Sequence, residues 1–209
     1  MSDGPAPWLG DRTDRTAPID DGTLARMPTP SPGPIGLEAN GSPAAHSSPD
    51  MPDRIVSYAR RRLGRPFLDG ECFTLVDHAL GAAGAKSASD YGTVVPDADY
   101  VWGTWIGLSD LQPGDVIQFR DYVCTVVTVT EDAGGTSTEE IVQERLHHTA
   151  IVERVGEDGA VTVLEQNAPE GAPVARSELF FAEGRVTSGH RVTTITVRGS
   201  FWFYRPEAR

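Results

Sequence analysis

Four residues of this sequence have the chemistry for covalent catalysis: Cys72, His148, Glu165 and Asn167. A thiol becomes a nucleophile when an imidazole accepts its proton, and a third group must hold that imidazole in the right tautomer. His148 would be the base, and Glu165 or Asn167 would be the third group. The set predicts acyl transfer through a cysteine, provided that the fold brings these residues together.

A predicted β-hairpin gathers three of the four on one surface. Two runs of alternating apolar residues flank a Gly-Glu-Asp-Gly turn sequence at residues 156–159. A symmetric turn there pairs His148 with Asn167 and places Glu165 on the same face, because every second residue of a strand shares a face. The neighbouring His147 is then turned to the opposite face, which makes it the weaker candidate for the base.

Cys72 is predicted to lie in the first turn of a helix. The residues after it repeat apolar side chains at helical spacing, as Phe73, Val76 and Ala79 show. Free backbone N–H groups and the positive end of the helix dipole favour a thiolate at such a position. The backbone N–H of Cys72 would also supply part of an oxyanion hole.

Other interpretations of these residues stay open at this point. Taken alone, Cys72 would more often be a buried core residue than a nucleophile. With the two adjacent histidines it could bind zinc, although the spacing is unlike that of zinc sites. Cys124 lies in a β-rich run and is predicted to be a core residue. Trp102 and Trp105 are predicted to form either core or one wall of a substrate groove.

The elements that must position these residues are helices first and antiparallel strands after, the order of an α+β domain. One helix is predicted to begin at Asp50 or Pro52 and to end at Gly64, and a second carries Cys72. A turn at residues 132–135 makes 120–146 a β insertion, which would form a flap over the groove. Besides the hairpin described above, strands are predicted at 115–119, 122–130, 141–146, 174–181, 192–197 and 201–204.

Residues 1–49 differ from the rest of the chain in composition. They hold nine of the 16 prolines, together with Ser, Gly and few large apolar residues. Such a composition favours extended, unfolded conformations. We therefore predict a disordered tail or docking arm at 1–49 and a catalytic domain at 50–209.

Composition excludes several classes of function. The net charge is −12 and the isoelectric point is about 4.7, which argues against nucleic acid and anionic membranes as partners. Two cysteines are too few for a secreted disulfide framework. No stretch has the length of a membrane span, and the N-terminus lacks the pattern of a signal peptide. The sequence thus predicts a cytoplasmic protein, or one exported by a leaderless route.

Four short motifs follow one another along the chain: Gly70-Glu71-Cys72, then Leu-Gln-Pro-Gly-Asp-Val-Ile-Gln-Phe at 111–119, then His148-Thr149-Ala150-Ile151-Val152, and finally Glu165-Gln166-Asn167. Together they resemble the CHAP-domain amidases and endopeptidases of the papain-like NlpC/P60 superfamily. The resemblance covers roughly residues 52–206. It implies N-terminal helices packed on an antiparallel sheet or half-barrel, no cofactor or metal, and cleavage of amide bonds in peptidoglycan.

The resemblance also implies roles for single residues. Cys72 would be the nucleophile, His148 the general base, Glu165 the third member and Asn167 a further polar partner. Glu71 departs from the family, which commonly has Gln or Asp before the cysteine. We place Glu71 with the substrate-binding residues, together with the two tryptophans.

Two other functions remain open. The thiol chemistry could act on a protein or peptide rather than on the cell wall, as a hydrolase or a transferase. Alternatively, the domain could have lost catalysis and bind its ligand within a larger assembly. Residues 1–49 would tether it there. For a cell-wall enzyme, the same residues could instead be the docking arm to a secretion system or a phage-tail-like particle.

Overall fold

Two helices precede the strands in the computed structural model, which describes residues 50–209. The predicted tail or docking arm at 1–49 lies outside the described residues. The helices are α1 (Met51–Arg60) and α2 (Cys72–Ala83). The strands are β1 (Thr104–Ile106), β2 (Val116–Asp132), β3 (Gly135–Val155), β4 (Val161–Glu165), β5 (Ala175–Leu179), β6 (Gly184–Ser188) and β7 (Arg191–Arg205).

The start of α1 and the end of α2 follow from their sequences, whereas α1 ends at Arg60 and not at the predicted Gly64. Asp50 caps α1, since its side chain accepts a hydrogen bond from the Asp53 N–H at 3.0 Å, and Pro52 lies in the first turn. Helix α2 ends where Gly84 adopts a left-handed conformation with φ of 75°. Within residues 50–209, no helix is long and apolar enough to cross a membrane.

The strands form one antiparallel sheet in the order β1-β7-β2-β3-β4-β5, with β6 paired to β7. Alternate residues of its central strands supply two cores. Ile151 packs with the helices on one side, and its neighbours Ala150 and Val152 pack on the other side. The α+β prediction, with N-terminal helices packed on an antiparallel sheet, is confirmed.

Strands β2 and β3 form a hairpin of 17 and 21 residues that turns at Ala133-Gly134, between the paired residues Asp132 and Gly135. The segment 120–146, predicted as an insertion and flap, is the outer part of this hairpin and continues the main sheet. Strand β7 accompanies β2, with a bulge near Asp121, whose φ is 53°. Gly199 lies against this bulge, and a Cβ there would be 2.1 Å from the Asp121 carbonyl oxygen.

The hairpin of β3 and β4 differs in part from the predicted register. Ile151 pairs with Leu164, as predicted, but a bulge at Glu153 shifts the later pairs by one residue. The turn is therefore a five-residue loop at 156–160, closed by a 2.7 Å bond from the Gly156 N–H to the Ala160 carbonyl. Strand β4 ends at Glu165, and the predicted pairing of residues 148 and 167 does not form.

Candidate active site

Cys72 is the first residue of α2 and is partly exposed. The loop before it is held by Asp69, which accepts hydrogen bonds from the Glu71 N–H at 3.0 Å and the Thr74 hydroxyl at 2.8 Å. Glu71 occupies the N-cap position without making a side-chain cap bond. The sulfur of Cys72 therefore lies at the positive end of the helix, where an anion is stabilised.

His148 connects Cys72 to the sheet. Its ring is buried, and its Nε2 lies 2.9 Å from Oε2 of Glu165. Cys72 is also near enough to the imidazole to raise its pKa. Because Nε2 faces Glu165, Nδ1 is the ring atom that remains for the sulfur. The structure thus brings Cys72, His148 and Glu165 into one chain of contacts.

Arg145 extends this chain beyond the residues that the sequence suggested. Its Nε donates to Oε2 of Glu165 at 2.8 Å, and a second guanidinium nitrogen binds Oε1. A third nitrogen donates to the Glu144 carbonyl at 2.7 Å. Both members of the Arg145–Glu165 pair are buried. The only signal in the sequence was an arginine inside an otherwise β-rich run, which is too weak to assign a partner.

These contacts determine the charges of the site. Burial alone would raise the pKa of Glu165, but hydrogen bonds from His148 and Arg145 outweigh it and lower the pKa to about 2. Burial alone would lower the pKa of His148, but its bonds with Cys72 and Glu165 raise that pKa to about 9. At neutral pH the site therefore holds an imidazolium between the Glu165 carboxylate and the sulfur of Cys72.

Gln166 is a second residue that sequence reasoning left without a role. Its side chain is fully buried, accepts from the Phe67 N–H at 3.0 Å, and donates to the Phe67 and Glu71 carbonyls at 3.1 and 2.8 Å. These bonds attach the loop before Cys72 to the end of β4. Gln166 therefore fixes the position of the cysteine relative to His148.

Asn167 does not take the predicted place beside His148. Its backbone adopts φ of 64° just after β4, which turns the chain away from the sheet. Its side chain donates to Oε2 of Glu71 at 3.3 Å and accepts from the Gly171 N–H at 2.6 Å. The prediction that Asn167 orients the imidazole is corrected, because the strand ends two residues earlier. Asn167 instead contacts the residue that precedes Cys72.

Two cavities border the site, and both contain His147 in their walls. The smaller one, of about 440 Å³, also contains Glu71, Cys72 and Tyr100. The larger one, of about 840 Å³, also contains His148 and Asn167. His147 was predicted to face away from the site, but it reaches the cavity walls while its Nε2 contacts the Ala98 carbonyl at 2.7 Å.

The two tryptophans lie away from these cavities. Trp102 is fully buried, and its Nε1 donates to Gln118 at 3.1 Å, so its prediction as a substrate-binding residue is corrected. Its ring packs against Phe73, beneath the first turn of α2. Trp105 is exposed on the edge strand β1, opposite Tyr204, and belongs to neither cavity wall.

In the part of the chain that the structure describes, no group of three His, Cys, Asp or Glu side chains is arranged to hold a metal ion. The two cysteines are free thiols, and Cys124 is buried in the core opposite the helices.

Comparison with known families addresses the same part of the chain. Residues 45–206 match the family model of the AIM3/BBC1 Cysteine proteinase-fold domain. The chain belongs to this family. The match covers more than three quarters of the sequence and includes all four residues of the Cys72-His148-Glu165-Arg145 chain.

The AIM3/BBC1 Cysteine proteinase-fold domain agrees with the papain-like part of the sequence resemblance. The description of this family specifies a cysteine proteinase fold, which is less specific than the CHAP resemblance, and it names no cell-wall substrate. Neither the curated proteins nor the solved structures contain a match to the chain.

Proposed function

We propose that this chain is a papain-type cysteine hydrolase that cleaves an amide bond of a peptide through an acyl-enzyme on Cys72. One observation carries the proposal. Cys72 lies at the start of α2, where it raises the pKa of His148, and Nε2 of His148 binds the buried carboxylate of Glu165. A nucleophile, a base and an orienting group in this order are the requirement for covalent acyl transfer.

The proposed reaction has two halves. The Cys72 thiolate attacks the carbonyl carbon, and the C–N bond breaks as the His148 imidazolium gives its proton to the leaving amine. Neutral His148 then accepts a proton from water, and the resulting hydroxide attacks the thioester. The acid leaves, the thiolate forms again, and the imidazolium is restored.

The charges around His148 suit this cycle. Glu165 stays ionised because Arg145 and His148 lower its pKa to about 2, so it can stabilise the imidazolium throughout. The uncapped start of α2 offers the backbone N–H of Cys72 to the oxyanion that forms on the carbonyl oxygen. We assign Glu71 to the rim of this region, where its carboxylate binds Asn167.

Two substrate classes are consistent with this chemistry. The CHAP resemblance favours the peptide of bacterial peptidoglycan. The net charge of −12 and the two cavities beside the site favour an extended polypeptide, because an anionic wall would be repelled. We propose a polypeptide as the principal substrate and the wall peptide as the second class to be tested.

The test compares wild type with Cys72→Ala and Cys124→Ala. Each protein is incubated with muropeptides and with unfolded polypeptides, and the products are analysed by mass spectrometry. We expect Cys72→Ala to release no product and Cys124→Ala, which alters the buried thiol, to keep the wild-type specificity. Equal product from wild type and Cys72→Ala would refute the proposal.

The second candidate is a domain that binds a peptide without cleaving it, within a larger assembly. It is favoured by Glu71, because a negative charge directly before Cys72 opposes formation of the thiolate. Iodoacetamide separates the two functions, since an activated thiolate reacts faster than a free cysteine. A Cys72 that reacts no faster than free cysteine would favour the binding domain.

A further inference from the structure

Strand β3 has a long free edge. On one side it pairs with β2 from Gly135 to Ile151, and on the other side β4 covers it only from Ile151 onward. Among residues 50–209, no strand pairs with that second side between 135 and 150. Along a strand, the N–H and C=O groups of successive residues point alternately to its two edges. The free edge of β3 therefore presents unpaired backbone groups at every second residue.

The free edge leads directly to the candidate active site. Residues 142–148 of β3 line the 840 Å³ cavity, together with the segment 167–170 that follows β4. Within this segment, His147 also lines the second cavity, which contains Cys72. A chain lying along the edge would therefore run past His148 toward the sulfur.

The side chains on this edge favour a particular kind of peptide. Val142 and Leu146 line the cavity and are 51% and 64% exposed, so they offer apolar contacts. Glu144 and Glu170 lie on the same walls. The basic side chains of this wall are Arg145, His147 and His148, and the charges of Arg145 and His148 are both paired with Glu165. The wall is thus apolar and acidic, which complements an extended segment with apolar and basic residues.

We propose that the substrate binds as an added strand on the free edge of β3, through a segment that contains Lys or Arg and aliphatic residues. Backbone hydrogen bonds to β3 hold the segment in register, and the same peptide continues to Cys72. This inference rests on the proposed function, because the occupant of the edge is the substrate of that reaction.

The test measures binding separately from cleavage. Full-length Cys72→Ala protein is titrated with a fluorescent peptide of about ten residues that alternates lysine and valine. Val142→Lys is compared with Ile141→Lys in the same background. Both residues are about half exposed on β3, at 51% and 49%, but only Val142 lines the cavity. Each change adds one positive charge, so a general effect of charge on peptide binding is the same in both variants.

We expect Val142→Lys to weaken binding by about tenfold or more and Ile141→Lys by less than about twofold. Methylating every second amide nitrogen of the peptide should weaken binding strongly in one of the two possible patterns and slightly in the other, because only one set of amides faces β3. Equal effects of the two lysine variants, or of the two methylation patterns, would overturn the inference.

Three further outcomes are informative. If wild type forms a dimer that Val142→Lys dissociates, a second copy of the chain occupies the edge and the inference is wrong. If the peptide binds with the expected dependence on Val142 but wild type never cleaves it, the binding edge stands and the proposed hydrolysis fails. If the protein cleaves the peptide and Val142→Lys leaves that cleavage unchanged, the proposed hydrolysis stands and the binding edge is wrong.

Discussion

Arg145 holds both carboxylate oxygens of Glu165 inside the protein, and the same carboxylate binds His148. The chain from the helix start to the sheet therefore has four members: the thiol, the imidazole, the carboxylate and the guanidinium. A buried carboxylate between two cations stays ionised, so it is a permanent counter-charge for the imidazolium.

The first prediction concerns the stability of this buried pair. Arg145→Met should lower the free energy of unfolding by about 3–5 kcal/mol, because it leaves the Glu165 charge buried with one partner fewer. Urea denaturation measures the change. Arg176→Met is the control: its half-exposed side chain pairs with Glu153, which Arg60 also holds, so we expect a loss of about 1 kcal/mol or less. Similar losses in the two variants would contradict the prediction that the buried pair contributes more to stability than the half-exposed one.

The second prediction is the pH range of maximal stability. The pKa of Glu165 is lowered from 4.5 to about 2, so its contribution is complete above pH 4.5 and is lost as the pH falls through 2. The pKa of His148 is raised from 6.5 to about 9, so its contribution is complete below pH 6.5 and is lost as the pH rises through 9. These two groups together favour greatest stability between pH 4.5 and 6.5.

Thermal unfolding of wild type and His148→Gln across this range measures that dependence. The variant should lose the decrease in stability between pH 6.5 and 9 that the wild type shows. A wild-type stability that rises over this interval would show that the imidazolium is not stabilised by folding.

The third prediction concerns the pH dependence of the reaction. Glu165→Gln removes the carboxylate that favours the charged imidazole, so the pKa of His148 should fall from about 9. The alkaline decrease in turnover should then move to lower pH, and the maximal rate should fall by about 10²-fold or more. Asn167→Ala is the control, since Asn167 contacts Glu71 and Gly171, and its profile should keep the wild-type shape. Profiles that shift equally would assign the orienting role to both residues.

The fourth prediction concerns Gln166. Gln166→Leu removes the partners of the Phe67 N–H and of two carbonyls, so stability should fall by about 2 kcal/mol or more. The rate of Cys72 alkylation should fall as well, because the loop before the cysteine is no longer held to β4. Gln143→Leu on the outer part of β3 should change stability by less than about 0.5 kcal/mol. An unchanged alkylation rate in Gln166→Leu would limit Gln166 to a structural role.

Local signals in the sequence were sufficient for the helices and for most of the strands. Asp50 and Pro52 indicated the start of α1, and the apolar spacing after Cys72 indicated α2. The turn at 132–135 was evident from its glycines, and the structure places it there. These features depend on neighbouring residues, which is why a single sequence reveals them.

The features that could not be predicted depend on contacts between distant segments. The bulge at Glu153 changes the register of β3 and β4, and no local pattern marks it, because Glu153 is held by Arg60 and Arg176 from elsewhere in the chain. The burial of Trp102 depends on packing against α2 and on its bond with Gln118. The pairing of residues 145 and 165 likewise became visible only in three dimensions.

Three consecutive residues at the end of β4 reach three different parts of the site: Glu165 contacts His148, Gln166 holds the loop before Cys72, and Asn167 binds Glu71. A substitution changes one of these contacts, but an insertion or deletion at this point displaces all of them together. In evolution, the length of the chain between β4 and the loop at 168–172 should therefore be more strictly preserved than the identity of Asn167. Deep mutational scanning that includes single-residue insertions would reveal this difference in tolerance.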